Sequence, residues 1–268
     1  MSPTPIPDEF ADALAQARPR LGPLASRVLW YDSIGSTNDR AIAWAESGAE
    51  EGALVLADAQ SAGRGRLGRT WSSPAGAGIY ASVVLRPSPQ AMALLTIAAG
   101  LAVSEGIAAA TGLPTQVKWP NDVCVGTRPP RKLAGILAEA GSAGDRVLHV
   151  VLGIGINVLP AAYPPDVAAR ATSLEAELGR TVSRGTVVAE CLAALWRRYA
   201  MLGAGGQERV LADWRQRAAA TFGRRVEWDT VTGVRTGIAR DVDASGALVV
   251  AAEGGVVRLT AGEVRWTE

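Results

Sequence analysis

The stretch Gln60–Trp71, QSAGRGRLGRTW, sets Arg64, Arg66 and Arg69 against Gly63, Gly65 and Gly68 and closes on Trp71. Guanidiniums are permanently charged, forked donors that suit a carboxylate or a phosphate. Glycines permit positive φ and close backbone approach, and an indole face can stack on a planar ring. Alone, the same run also describes a basic surface loop. The chain carries 27 basic and 26 acidic residues, a net charge of +1. The arginines are therefore a local concentration in a neutral chain, which favours a small anionic ligand over a polyanion.

Other groups share this chemistry. KWPND, Lys118–Asp122, places a cation, a ring, a proline turn, an amide and a carboxylate side by side. Proline drives the residue before it to extended geometry, so Lys118 ends a strand and Asn121 and Asp122 occupy the turn, where both can also serve the backbone. Lys132 opens the apolar KLAGIL, and a buried lysine needs a carboxylate partner or a ligand's anion. In GIGIN, Gly153 and Gly155 fall on one strand face, so something approaches that backbone closely. His149, the single histidine, sits in VLHVVLG and reads as a strand residue, leaving no scheme that needs two imidazoles.

The elements that must hold these groups alternate in type. A short helix is expected over Asp8–Ala17 and a strand over Leu29–Ser33. Ser36-Thr37-Asn38-Asp39 carries the helix-start pattern [ST]-x-x-[DE], for a helix running to Ser47 with Gly48 as its stop; Ser36–Asn38 also have hydroxyls and an amide to offer a ligand. Leu54–Ala57 and Ile79–Leu85 read as strands and Ala91–Ala110 as one long helix of small residues. Val117–Val125 forms two extended pieces around the proline. Lys132–Ala140 and Val147–Val158 are paired central strands, with hairpin chemistry at Gly141–Asp145. Helices follow over Ser173–Leu178, from Ser183 to Leu202, and over Gln207–Ala219. Beyond Phe222, short apolar runs alternate with turn signals, the pattern of a small antiparallel β-barrel or sandwich. The expected division is residues 1–221 and 222–268.

Hydrophobic residues make up 48% and charged residues 20% of the 268, an ordinary globular composition. Cys124 and Cys191 provide neither a disulfide framework nor metal-ligand spacing, and both read as buried small hydrophobes, which fits a cytoplasmic location. MSPTPIPDEF lacks the pattern of a signal peptide. No apolar run reaches the ~20 residues that span a bilayer; Ser104 and Glu105 interrupt the longest.

Taken in order, Gly35-Ser36-Thr37-Asn38, GRGRLGRTW, KWPNDV, KLAGIL and GIGINV resemble the catalytic domain of biotin–protein ligases over Leu29–Gly203, and more loosely beyond. The resemblance implies an α+β fold: a mixed sheet flanked by helices, of the class II synthetase type, with a small C-terminal SH3-like β-barrel. It implies a two-step reaction. Biotin and MgATP give biotinyl-5′-AMP and pyrophosphate, and the biotinyl group then passes to a lysine of a biotin carboxyl carrier domain of a biotin-dependent carboxylase.

The biotin carboxylate is ionised at pH 7, so the first step needs charge neutralisation and alignment of two anions. By resemblance, Lys132 and Arg66 carry that catalytic role. Ser36, Thr37, Asn38 and Gln60 recognise the polar ring of biotin, with Gly63, Arg64 and Gly65 beside them and Gly135, Gly153 and Gly155 making room. Arg69, Trp71, Lys118, Asn121 and Asn157 take the nucleotide, Trp71 stacking on adenine. Asp122 is the candidate for positioning Mg²⁺, although a turn role explains it equally well. The second step needs exclusion of water, which a loop closing over the intermediate supplies.

Family members that act as repressors carry an N-terminal DNA-binding domain. Too few residues precede Leu29 here for one, so ligase activity without DNA binding is expected, in a monomer or homodimer. Cys124–Arg131, CVGTRPPR, departs from the family pattern with two prolines and two arginines. A lipoate–protein ligase is the nearest enzyme alternative, and a nucleic-acid-binding module using the arginine loop and the C-terminal barrel is the alternative of another class.

Overall fold

Alternation of buried residues builds the central sheet. In Leu54–Ala57, Leu54 and Leu56 join one apolar cluster while Val55 and Ala57 join a second on the other face, as successive strand residues must. In this computed structural model, which describes residues 2–126, 130–144, 146–231, 233–260, 262 and 264–266, seven strands form that sheet. They are β1 Val28–Tyr31, β2 Leu54–Ala57, β3 Gly78–Leu85, β4 Gln116–Lys118, β5 Asp122–Val125, β6 Arg131–Ala143 and β7 Arg146–Asn157. Their order is β1-β2-β3-β7-β6-β5-β4. Only β1 and β2 run parallel; the other neighbours are antiparallel. The glycine strand β7 therefore lies in the middle, paired to β3 and β6. Thr127, Arg128 and Pro129 of the departing segment, and Asp145 of the expected hairpin turn, lie outside the described residues.

Helices cover both faces. On one, α1 (Asp8–Ala17), α4 (Leu95–Thr111) and α6 (Arg184–Gly203) pack into the larger core. Gly106 lets α4 and α6 touch backbone to backbone, since a Cβ there would come 2.4 Å from Cys191 Cα. On the other face, α2 (Thr37–Glu46) places Ala41, Trp44 and Ala45 against Val55, Val84 and Val151. Ser36 caps α2 by accepting from Asp39 N at 3.4 Å, and Gly48 beyond it has φ +95°.

The helix expected over Ala91–Ala110 is broken. Ser88 accepts from Ala91 N and Pro89 takes the first turn, making the short α3 (Pro89–Met92), and Leu94 leaves helical geometry at φ −108°, ψ 9° before α4 begins. Local cap chemistry overrode the uniform small-residue pattern. Next come α5 (Leu174–Leu178) and α7 (Gln207–Arg217). A second sheet follows, β8 Arg225–Thr230, β9 Gly233–Val242, β10 Leu248–Ala252, β11 Gly255–Leu259 and β12 Arg265–Trp266, antiparallel in the order β11-β10-β9-β8-β12. Its Val226, Trp228, Ala239 and Leu248 join the larger core. The mixed sheet flanked by helices and the C-terminal antiparallel sheet agree with the fold expected from the sequence. Among the described residues, no helix is long and apolar enough to cross a membrane.

Candidate functional site

One cleft, about 970 Å³ out to its open mouth, gathers most of the expected residues: Ser36, Thr37 and Asn38 from the start of α2, Gln60 and the arginine loop, the KWPND turn, Lys132 and Gly135 of β6, and Gly153 and Gly155 of β7. Gly262 and Val264 of the C-terminal unit form part of its wall. Gly63 and Asn157 do not line it. Asn157 is buried and donates its amide to Thr172 O at 2.9 Å, anchoring the loop behind Lys132. His149 is buried in β7 opposite Gly141, also outside the cleft, as a strand residue.

The arginine loop is a narrow hairpin. Trp71 N donates to Gly63 O at 2.9 Å and Gly65 N to Arg69 O at 2.7 Å, with Arg64 and Thr70 bridged between them. Its glycines divide the work differently from the sequence expectation. Gly63 supplies close approach, for a Cβ there would stand 2.4 Å from Trp71 O. Positive φ is confined to the tip, at Leu67 (56°) and Gly68 (72°). Leu67 has a side chain in a conformation glycine favours, and it is 71% exposed.

At one end of the cleft lies a polar chain. Gln60 Oε1 accepts from Thr37 N at 2.8 Å and lies 3.0 Å from Thr37 Oγ1, while its Nε2 donates to Ser73 Oγ at 2.8 Å. Ser82 Oγ, fully buried on β3, lies 2.8 Å from Thr37 Oγ1 and donates to Asn38 Oδ1 at 2.5 Å. Asn38 Nδ2 donates to Glu139 at 2.7 Å, and Arg64 pairs with both Glu139 (2.8 Å) and Asp39 (2.5 Å). Sequence reasoning missed Ser73, Ser82 and Glu139. Ser82 is hidden in an apolar run, and Glu139 sits where an alternating strand shows a solvent-facing charge.

At the other end the groups are cationic. Lys132 Nζ lies 2.6 Å from Asp122 Oδ1 and 5.3 Å from the Trp71 ring centroid. Arg66 donates to Asn121 Oδ1 at 3.2 Å, and Asn121 Nδ2 donates to Ile136 O at 2.8 Å, so the amide ties the loop to the sheet. Lys118 lies 5.1 Å from the Trp266 ring, and Trp119 Nε1 donates to Gly246 O at 2.9 Å, joining the KWPND turn to the C-terminal sheet. Cys124, buried on β5, is pushed up to about 12 by burial and then by the Asp122 charge.

Both strand glycines accommodate the protein's own side chains. A Cβ at Gly153 would meet Asn38 Oδ1 at 2.2 Å; one at Gly155 would meet the Trp71 ring at 2.5 Å, and one at Gly135 the same ring at 3.0 Å. The indole thus lies on the glycine floor of the cleft, its Nε1 buried without a hydrogen-bond partner among the described residues. As for a metal, Asp122 contributes one carboxylate already facing an ammonium. Among the described residues no cluster of three or more His, Cys, Asp or Glu is placed to hold an ion. Within the described lining the cleft thus offers a cation the Asp122 carboxylate and no all-protein cage.

Residues 30–157 match the Biotin/lipoate A/B protein ligase family, and residues 221–265 match the Biotin protein ligase C terminal domain. The chain is 39% identical to the "Biotin--[acetyl-CoA-carboxylase] ligase" of Mycobacterium tuberculosis, over 86% of this chain and 85% of that protein. It is 34% identical to the "Bifunctional ligase/repressor BirA" of Bacillus subtilis, over 90% of this chain and 74% of that protein. The biotin protein ligase of Aquifex aeolicus in complex with biotin and ATP superimposes with a TM-score of 0.77 at 28% identity, covering 91% of this chain and 99% of that one. By these matches, and with balanced charge at the α2 end of its cleft and cations along the rest, the chain belongs to the biotin protein ligase family, enzymes that activate biotin with ATP and pass it to a protein lysine.

Proposed function

We propose that this ligase binds biotin with its polar ring among Ser36, Thr37, Asn38 and Gln60 and its carboxylate toward Lys132 and Arg66. The observation that carries this reading is the polarity of this cleft. Ser36, Thr37, Asn38 and Gln60 gather at the α2 end, where the charge of Arg64 is balanced by Asp39 and Glu139, and Arg66, Arg69, Lys118 and Lys132 line the rest. A ligand with a uncharged polar head and an anionic tail matches that gradient, and the tail end has room for a second anion.

In the first step a biotin carboxylate oxygen attacks the α-phosphorus of ATP. The new C(O)O–P bond forms as the bond to the β-phosphate oxygen breaks, and pyrophosphate leaves with its electron pair. Lys132 and Arg66 lower the repulsion between the two anions and hold them in line. Arg69, Lys118 and Asn121 take the nucleotide, and Mg²⁺ enters with it as MgATP. Trp71 leaves the floor at Gly135 and Gly155 to admit the biotin tail and turns its ring to the adenine. In the second step the amine of a carrier lysine attacks the acyl carbon, an amide forms, and AMP leaves. The arginine hairpin shields the mixed anhydride from water. The acceptor is a biotin carboxyl carrier domain.

The test is incubation with biotin, MgATP and such a carrier domain, followed by intact mass measurement of the carrier. A biotinyl adduct dependent on ATP supports the reading. No adduct with biotin, and a lipoyl adduct when lipoate and a lipoyl carrier domain replace biotin and the biotin carrier, overturns it.

A further inference from the structure

β6 carries more of the site than its motif residues. Gly135, Leu137 and Glu139 share one strand face, and the first two line the cleft, so Glu139 extends the same row. Leu137 is registered with Gly153 and Glu139 with Val151. Because Gly153 has no side chain, Asn38 can lie across β7 there, and its amide reaches Glu139 on the next strand. One carboxylate oxygen, Glu139 Oε2, accepts from both Asn38 Nδ2 at 2.7 Å and Arg64 Nη2 at 2.8 Å. On the opposite side of the amide, Ser82 donates to Asn38 Oδ1. A carboxylate only accepts, so the NH₂ of Asn38 must face Glu139 and its carbonyl oxygen must face Ser82.

We infer that Glu139 is a positioning residue for biotin recognition: it fixes the orientation of the Asn38 amide, and Arg64 supplies the counter-charge that keeps its carboxylate in place. The inference rests on the reading of the α2 end of the cleft as the seat of the polar ring. Asn38 is 4% exposed and cannot turn its amide to water. With glutamine in place of Glu139, a group that can donate as well as accept faces Asn38, so the amide loses its single allowed orientation and the ring loses a fixed partner.

The test compares biotin-dependent pyrophosphate release by wild type, E139Q, N38A and N38A/E139Q. Losing a charge-assisted acceptor raises the KM for biotin about tenfold in E139Q, while the KM for ATP and kcat stay within about threefold. Because Glu139 acts through Asn38, N38A and N38A/E139Q agree in biotin KM within about twofold. A purely structural lesion would move ATP KM, biotin KM and Tm together, and that result overturns the inference. So does an E139Q biotin KM at the wild-type value, or a double variant in which the two effects multiply. If wild type itself releases no pyrophosphate with biotin, the reading of the cleft falls, and this inference with it.

Discussion

Replacing Lys132 by alanine separates two jobs that the structure gives to one ammonium. Lys132 neutralises Asp122 across 2.6 Å, with the lysine side chain 35% and the aspartate 20% exposed. Exposed pairs contribute about 0.2–1 kcal/mol and breaking a buried pair costs about 3–5; this half-buried pair falls between, at about 1–3 kcal/mol. At roughly 2–4 °C per kcal/mol for a chain of this size, K132A melts a few degrees lower. The catalytic loss is separate: withdrawing a fixed cation from two approaching anions costs about a hundredfold or more in rate. The discriminating variant is K132A/D122N, in which no carboxylate is left unpaired. It regains most of the lost Tm but none of the lost pyrophosphate release. Calorimetry and a coupled pyrophosphate assay on wild type, both single variants and the double supply the four corners. The reasoning fails if K132A keeps its rate within about tenfold of wild type, or if D122N restores the rate of K132A.

Gly155→Ala pushes a methyl into the Trp71 ring while its strand geometry tolerates alanine; the expected result is a Tm within a few degrees of wild type and a biotin KM raised about tenfold, read from the same assay. The Cys124 thiol, held near 12 by burial, stays unlabelled by a thiol reagent at pH 8 in the folded protein and reacts once guanidinium is added. Burial alone would raise the Asp213 carboxyl, but hydrogen bonds from Arg198 and Arg209 and their charges carry it below its ordinary 3.8. A depressed carboxyl stabilises the fold above its unfolded value, and that contribution is lost as pH falls through the folded one. The Tm gap between wild type and D213N should therefore be full at neutral pH and close below 3.8; a gap that widens in acid refutes the assignment.

Local signals carried most of the element map. Ser36 and Ser183 cap the helices they were expected to cap, because a short acceptor side chain before an apolar period acts within one turn. The break between α3 and α4 escaped because Ser88-Pro89 starts a helix before the apolar run has begun. Of the site, the arginines, the KWPND turn, Lys132 and the glycine strand were legible as chemical types with motif spacing. What each one touches was not. That Gly153 faces Asn38 and Gly155 faces Trp71 depends on β3, β6 and β7 lying side by side, and register of that kind is not local. Glu139 and Ser82 followed the same rule in reverse: each looked ordinary along its own strand and acquired a partner only across the sheet. Asn157 drew attention through its motif, yet its amide serves the backbone at Thr172.

The floor of the cleft carries no side chain at Gly153 and Gly155, and each gap is filled from another part of the chain. The consequence concerns how such a sequence can drift. A larger residue at either glycine crowds Asn38 or Trp71, and a smaller residue at Asn38 or Trp71 leaves a hole in the floor. The positions form two complementary pairs, 38 with 153 and 71 with 155, in which volume removed on the strand is returned from a helix start or a loop. The cost of a change at one member is offset by an opposite change at the other.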